Sequence, residues 1–191
     1  MKTILLKGQL RETLGTTDSR LIREEGLVPC VLYGGKDHLH FAVHAGDFKN
    51  LVYTPNTYAV KLEIGDKSYR AILQDIQFHP VNDQILHVDF LEVFEDKPVS
   101  LSIPVKLTGN SVGVRAGGRL LLKLKKIKVK GLLSSIPDYI EVDIENLDIG
   151  KSVKVAELKP EGIEILDAAN NAVVSITATR ATREASAAAG K

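Results

Sequence analysis

A mainly β protein in two modules is what this sequence of 191 residues predicts. Three observations point there. Apolar and polar residues alternate along most of the chain, the period that turns one face of a strand toward a core. Gly, Asp and Asn interrupt that alternation at short intervals, as tight turns require. The pattern also stops at "VFEDKPVSLSIPV", a charged joint containing proline, and then begins again. We therefore expect a domain over residues 1–94, a β-rich domain over residues 95–180, and a flexible tail over residues 181–191. The tail's "REASAAAGK" has too little apolar surface to order itself.

In chain order, strands are expected at Ile4/Leu6, Val28 to Tyr33, Phe41/Val43, Ala59 to Ile64, Tyr69 to Phe78 and Leu86 to Val93. Two stretches have helical spacing instead. "TTDSRLIREEG" offers Thr17 or Asp18 as N-cap and Gly26 just past its end, and "HAGDFKNLVY" sets Phe48, Leu51 and Val52 at i, i+3, i+4. Both are short, suited to plugging the ends of a barrel or covering a sheet face. The second half should hold strands at Val99 to Leu107, Arg119 to Val129, Ile140 to Ile144, Val153 to Val155 and Ala172 to Thr177. Within "LLLKLKKIKVK", Leu120, Leu122 and Leu124 share one parity while Ile127 and Val129 share the other. A bulge near Lys125 and Lys126 would absorb that slip.

Composition narrows the function classes. At 44% hydrophobic and 26% charged, the chain can bury ordinary globular cores. Its one cysteine, Cys30, cannot form a disulfide within the chain, which suits a reducing cytoplasm. The opening "MKTILLKGQL" has too short an apolar run for a signal peptide, and no apolar stretch of spanning length follows, so no membrane partner is expected. Net charge is +1, so bulk attraction does not argue for nucleic acid. Residues 1–94 carry 10 Lys and Arg against 12 Asp and Glu, while residues 95–191 carry 15 against 12. An anion site in the first module must therefore come from local clustering.

The hairpin "QDIQFHPVNDQILHVDF", residues 74–90, concentrates the chemistry. With its turn centred near Asn82, Gln77 faces His87 and Asp75 faces Asp89, while Ile76 and Phe78 share the core side with Leu86, Val88 and Phe90. Two opposed carboxylates destabilise a ladder unless something donates to them. A solvated face, a metal site and a surface that reads a partner's donors all answer to this pattern. The metal reading uses His87 and Asp89 with Asp75 or His79, a set suited to zinc or non-haem iron. No Walker loop, dinucleotide fingerprint, nucleophile elbow or cysteine cluster is present, and we assign no catalytic residue and no cofactor. "YGGK" is too short for a phosphate-binding P-loop and reads first as a turn. Arg20 and Arg23, at i, i+3 and near Arg11, either pair with Glu24 and Glu25 or, with Tyr33, Gly34 and Lys36, supply phosphate contacts and a stacking platform.

At these residues the sequence resembles a known family. "VPCVLYGG", "QDIQFHP" and "HVDF", followed by "VGVRAGGRL", "IPDYIEVDIENLDIGKSV" and "LKPEGI", look like the bacterial large-subunit ribosomal protein twenty-five in its long form, the general stress protein Ctc family. The resemblance spans about residues 3–178. It implies a six-stranded N-terminal barrel that binds 5S ribosomal RNA and carries out no catalysis. Neighbouring large-subunit proteins, a ribosome-associated cytoplasmic location and a monomeric free state go with it. The matching RNA-contacting positions are Arg11, Ser19, Arg20, Arg23, Tyr33, Gln74, Asp75, His87 and Asp89. Gln74 has the core parity of Ile76, so its place on the groove side requires a bulge or a twisted strand end.

Where that family carries a Gly-Lys-Gly turn followed by paired arginines, this chain reads Gly15-Thr16-Thr17-Asp18-Ser19-Arg20-Leu21. Lost cations imply weaker, more shape-dependent RNA binding. The rival readings are a metal-dependent β-barrel enzyme using His79, His87 and Asp89, and a stress-related interaction module with weakened RNA affinity. The row from Lys123 to Lys130 either guards a strand edge or makes a second contact with ribosomal RNA or a neighbouring protein.

Overall fold

The structure is a computed structural model that describes residues 2–35, 37–54, 56–158, 160 and 162–179. The expected tail, residues 181–191, lies outside the described residues. The chain forms two compact units, one running to Val99 and including Leu132–Ser134, the other holding Ser100–Gly131 and the described residues from Ser135 onward.

The first unit is a closed barrel of six strands: β1 (Lys2–Leu10), β2 (Leu27–Tyr33), β3 (Leu39–His44), β4 (Tyr58–Ile64), β5 (Lys67–Phe78) and β6 (Ile85–Glu92). Their order around the wall is β1-β3-β2-β6-β5-β4, with β1 and β4 closing it as a parallel pair. Closure leaves no free edge, so every strand can satisfy its backbone on both sides. Alternation supplies the interior. Leu6, Cys30, Leu32, Phe41, Val43, Val60, Leu62, Val88 and Phe90 point inward and are buried. Phe90 lies between Phe41 and Phe48, with ring centroids 5.9 and 6.4 Å away.

The two helical stretches behave differently. After β3 a single 3-10 turn, Ala45–Phe48, runs into the short helix α2, Lys49–Val52, and Phe48 and Leu51 enter the barrel core as a plug. The earlier helix α1, Thr16–Glu24, buries no residue, and Leu21 is exposed. With only Leu21 and Ile22 to offer, it can neither plug nor cover, and it packs beside β2. Its N-cap is Gly15, not Thr17 or Asp18, because the Asp18 carboxylate is engaged elsewhere. Gly26 does follow its end, at φ 79°.

The second unit has a four-stranded sheet and a three-stranded one. The former orders β10 (Ile140–Asp143), β7 (Val99–Thr108), β9 (Lys126–Gly131) and β12 (Glu164–Ile165); the latter orders β11 (Ser152–Lys154), β13 (Ala172–Thr177) and β8 (Arg119–Leu122). Val173, Val174 and Ile176 on the central strand β13 are almost inaccessible, so both faces of this strand are covered. A short helix α3, Val112–Arg115, is capped by Ser111, whose hydroxyl accepts from the Gly113 and Val114 N–H groups.

One expectation here needs correction. Arg119 to Val129 is not a single bulged strand: β8 ends at Leu122, β9 begins at Lys126, and the two belong to different sheets. The change of parity is absorbed by leaving one sheet for the other, so Leu122 stays on the ladder with Val174 and Ile127 is fully buried beyond the crossing.

Candidate nucleic-acid interface

Across the β5–β6 ladder, Asp75 stands opposite Asp89 and Gln77 opposite His87, the register the hairpin sequence predicts. Irregularities bracket this stretch. Leu73 pairs with Phe90 and Asp75 with Asp89, so Gln74 is an extra residue on β5, and it is exposed. That is the bulge its parity demanded. At the other end Gln77 pairs with His87 and Phe78 with Ile85, leaving Leu86 as the extra residue on β6. Past this second slip Phe78 no longer faces the core, and it is 42% exposed. The turn itself is held by the His79 N–H donating to the Gln84 carbonyl at 2.8 Å, with Asp83 at φ 54°.

The centre of the row is unusually short of donors. His87 Nδ1 approaches Asp89 Oδ1 to 2.7 Å, but off the hydrogen-bond line, so that sealed oxygen has no aligned donor among the described residues. The Asp75 Oδ1 atom accepts from the Ile76 N–H. Tyr33, on the neighbouring strand β2, is half-buried beside both carboxylates. Its phenol pKa is pushed up, first by burial and then by the negative charge of Asp89 and Asp75. A phenol held neutral keeps its O–H as a donor and its ring as a flat apolar surface. Gly34, next in line, turns the chain at φ 97°, and a Cβ there would meet Leu91 at 2.6 Å. Its place is dictated by this close approach. Lys36 lies outside the described residues.

The cations frame this row from α1 and the end of β1. Arg23 Nε donates to the carbonyl of the bulged Leu86 at 3.0 Å, which fixes an exposed guanidinium beside the row. Arg20 is 82% exposed and pairs with Glu24, one turn on, at 3.0 Å. Such an exposed pair is loose enough to exchange partners. Arg11 is different. Its side chain is only 9% exposed, and Nη2 donates to Asp18 Oδ2 at 2.6 Å and to Ser19 Oγ at 3.2 Å. Thr13 Oγ1 also donates to Asp18, at 2.9 Å. The hydrogen bonds from Arg11 and Thr13 hold the Asp18 carboxyl below its ordinary pKa. Arg11 therefore clamps the start of α1 rather than facing solvent.

Among the described residues the donors are not gathered for a metal. His79 Nδ1 accepts from the Val81 N–H, and among the described residues no three His, Cys, Asp or Glu side chains are disposed to share an ion. Among the described residues no helix is long and apolar enough to cross a membrane.

A closed β-barrel that presents a polar face framed by cations has the form of a binding module. Comparison with known proteins makes this particular. Residues 6–90 match the model of the ribosomal L25p family, and residues 98–180 match that of the ribosomal protein TL5 C-terminal domain. The chain is 47% identical to the large ribosomal subunit protein bL25 of Bacteroides fragilis over the full length of both. It is 48% identical to that of Phocaeicola vulgatus, again over the full length of both. With the protein of the same name from Azobacteroides pseudotrichonymphae it shares 46% identity over 184 residues, covering 96% of this chain and 97% of the relative. The chain belongs to the bL25 family of bacterial large-subunit ribosomal proteins, in its long form. These are structural proteins, not enzymes.

Proposed function

We propose that this chain is a structural protein of the bacterial large ribosomal subunit whose N-terminal barrel binds 5S ribosomal RNA through the polar face of β5 and β6. Membership of the family makes it ribosome-associated and cytoplasmic. The observation that carries the 5S reading is the Asp89 carboxylate. Its side chain is 31% exposed and stands directly opposite Asp75, so two carboxylates meet on the outer side of the ladder. Opposed carboxylates destabilise a ladder unless donors reach them, and base amino groups or ribose hydroxyls would supply those donors. Gln74, His87 and Tyr33 add an amide, an imidazole and a phenol ring to the same face. Arg20, Arg23 and Ser19 on α1 reach phosphates, and Arg11 positions Ser19 from behind.

The weaker binding that the lost cations imply would have a local cause. Asp18, at a position where the resemblance leads one to expect cations, occupies the Arg11 guanidinium. The test is a mobility-shift titration of the full chain with 5S rRNA, using a ribosomal RNA fragment of equal length as competitor. Replacing His87 or Asp89 with Ala should weaken 5S binding by about 1 to 3 kcal/mol, roughly 5- to 150-fold. Undiminished affinity in folded His87→Ala and Asp89→Ala proteins would rule out the polar face as the contact surface.

A further inference from the structure

The second unit carries a cationic surface that the barrel reading leaves unused. Between Lys123 and Lys130 the chain has five lysines and no acidic residue, and all five are exposed. On β9, Lys126, Lys128 and Lys130 alternate with Ile127 and Val129, both fully buried, so the three ammonium groups stand on one outward face. Successive outward residues on a strand are about 7 Å apart. None of the five forms an ion pair among the described residues. Glu164 stands opposite Lys130 on the ladder without closing on it. Lys106 on the adjacent strand β7 extends the positive face, its ammonium 4.6 Å from the centre of the Tyr139 ring.

Guarding a free edge is not the role of this row. β9 lies inside its sheet, between β7 and β12. The Lys128 N–H donates to Asp167 Oδ2 at 2.8 Å, and its carbonyl accepts from the Leu166 N–H at 2.9 Å, so at mid-strand the backbone on that side is already satisfied. Like charges set two residues apart on one strand repel one another, and no salt bridge among the described residues offsets them.

From this geometry we infer that the outward face of β9, with Lys126, Lys128 and Lys130, binds the sugar-phosphate backbone of large-subunit ribosomal RNA at a segment separate from the one held by the barrel. A regular file of flexible point charges matches a polymer that repeats its own negative charge. A protein partner would ask for something else, since interface cores are depleted in lysine and enriched in aromatic and apolar anchors, and the outward side of β9 offers none. Lysine ammoniums grip phosphate without reading bases, so this contact anchors and does not select.

The experiment is a filter-binding salt titration of the full chain against two probes, protein-free 23S rRNA and 5S rRNA. Replacing Lys126, Lys128 and Lys130 together with Ser should flatten the dependence of log K on log salt for 23S rRNA by about 2 to 3. The triple Arg variant should keep the wild-type slope, and Lys151→Ser, just ahead of β11 in the other sheet, should leave it unchanged. Binding of 5S rRNA by the Ser variant should stay at the wild-type level, which separates this contact from the barrel's. An unchanged 23S slope in the folded Ser variant overturns the inference. So does a variant that binds naked 23S rRNA normally yet is lost from intact subunits in salt-washed gradients, since the face would then meet a protein.

Discussion

Replacing Asp18 with Asn tests whether one carboxylate restrains RNA binding. In the native protein that group accepts from Arg11 at 2.6 Å and keeps a guanidinium folded against the barrel, 9% exposed. Asn has the same shape, but its neutral amide cannot hold Arg11 as strongly, and the side chain is released toward the Ser19 end of α1. One added phosphate contact steepens the slope of log K on log salt by about 0.9 for duplex RNA. Worked from a common value at 1 M salt, that makes 5S binding about fifteenfold tighter at 50 mM and about fourfold tighter at 200 mM. Filter binding across this range measures both quantities. A parallel slope with no gain in affinity would refute the reasoning, since Arg11 would then stay inward without Asp18. The ion pair has its own check. Because the Asp18 carboxyl sits below its ordinary value of 3.8, its contribution to stability is present above that pH and is lost as the pH falls through the lowered folded-state pKa. Carboxyl chemical shifts should place its midpoint below 3.8, and Arg11→Lys should bring it back toward that value.

Three stability predictions follow from packing. Phe90→Ala removes a ring wholly enclosed between Phe41 and Phe48 and should cost about 3 to 5 kcal/mol in urea denaturation of the full chain, by way of the cavity it leaves. Gly34→Ala forces a Cβ onto Leu91 at a φ of 97° and should cost about 1 to 3 kcal/mol by the same measurement, so its effect on RNA binding should be read only alongside its melting curve. Ser111→Ala deletes the cap of α3 and strips the Leu147 carbonyl of its hydroxyl donor, for about 1 to 2 kcal/mol, seen as early unfolding of the second unit by hydrogen exchange.

Parity was the most informative sequence signal and also the one that misled. In the hairpin, a turn near Asn82 and strict alternation suffice to set Asp75 against Asp89, because pairing across a short loop is local. Gln74 conflicts with that alternation, and the conflict is resolved by a bulge. The same conflict at Lys125 and Lys126 is resolved by ending one strand and starting another. Nothing within those residues separates the two outcomes. The choice is made by partners far along the chain, β13 for Leu122 and β12 for Val129, whose pairing cannot be read from the segment itself. The second slip, which leaves Leu86 unpaired and exposes Phe78, gave no parity warning at all. Long-range capture also explains α1. Thr17 and Asp18 are good caps in isolation, but Arg11 claims the Asp18 carboxylate first. Among the elements the pattern did not show, β12, with two residues, is too short for any pattern, whereas Ser111 ahead of α3 was a cap signal that could have been read.

The barrel's acidic surplus bears on how it can recognise a polyanion. Charges more than about 8 Å apart are largely screened at physiological salt, so the module's summed charge matters less than what stands within reach of each phosphate. Asp75 and Asp89 repel phosphate, and a backbone strand laid across them would bind badly. In the proposed complex they would accept instead from amino groups and hydroxyls, which would turn base or ribose edges toward β5 and β6 and leave the phosphates to the rim, where Arg20 and Arg23 stand. Attraction and discrimination are thereby given to different residues, and the two can be separated. Arg23→Gln should flatten the salt slope by about 0.9 while the ratio of 5S to competitor affinity holds. Asp89→Ala should leave the slope alone and reduce that ratio, because the carboxylate no longer rejects badly placed phosphates or rewards well-placed donors. If Asp89→Ala instead raised affinity for both RNAs alike, the carboxylates would be mere repulsion, and the face on which they stand would not be the one that reads RNA.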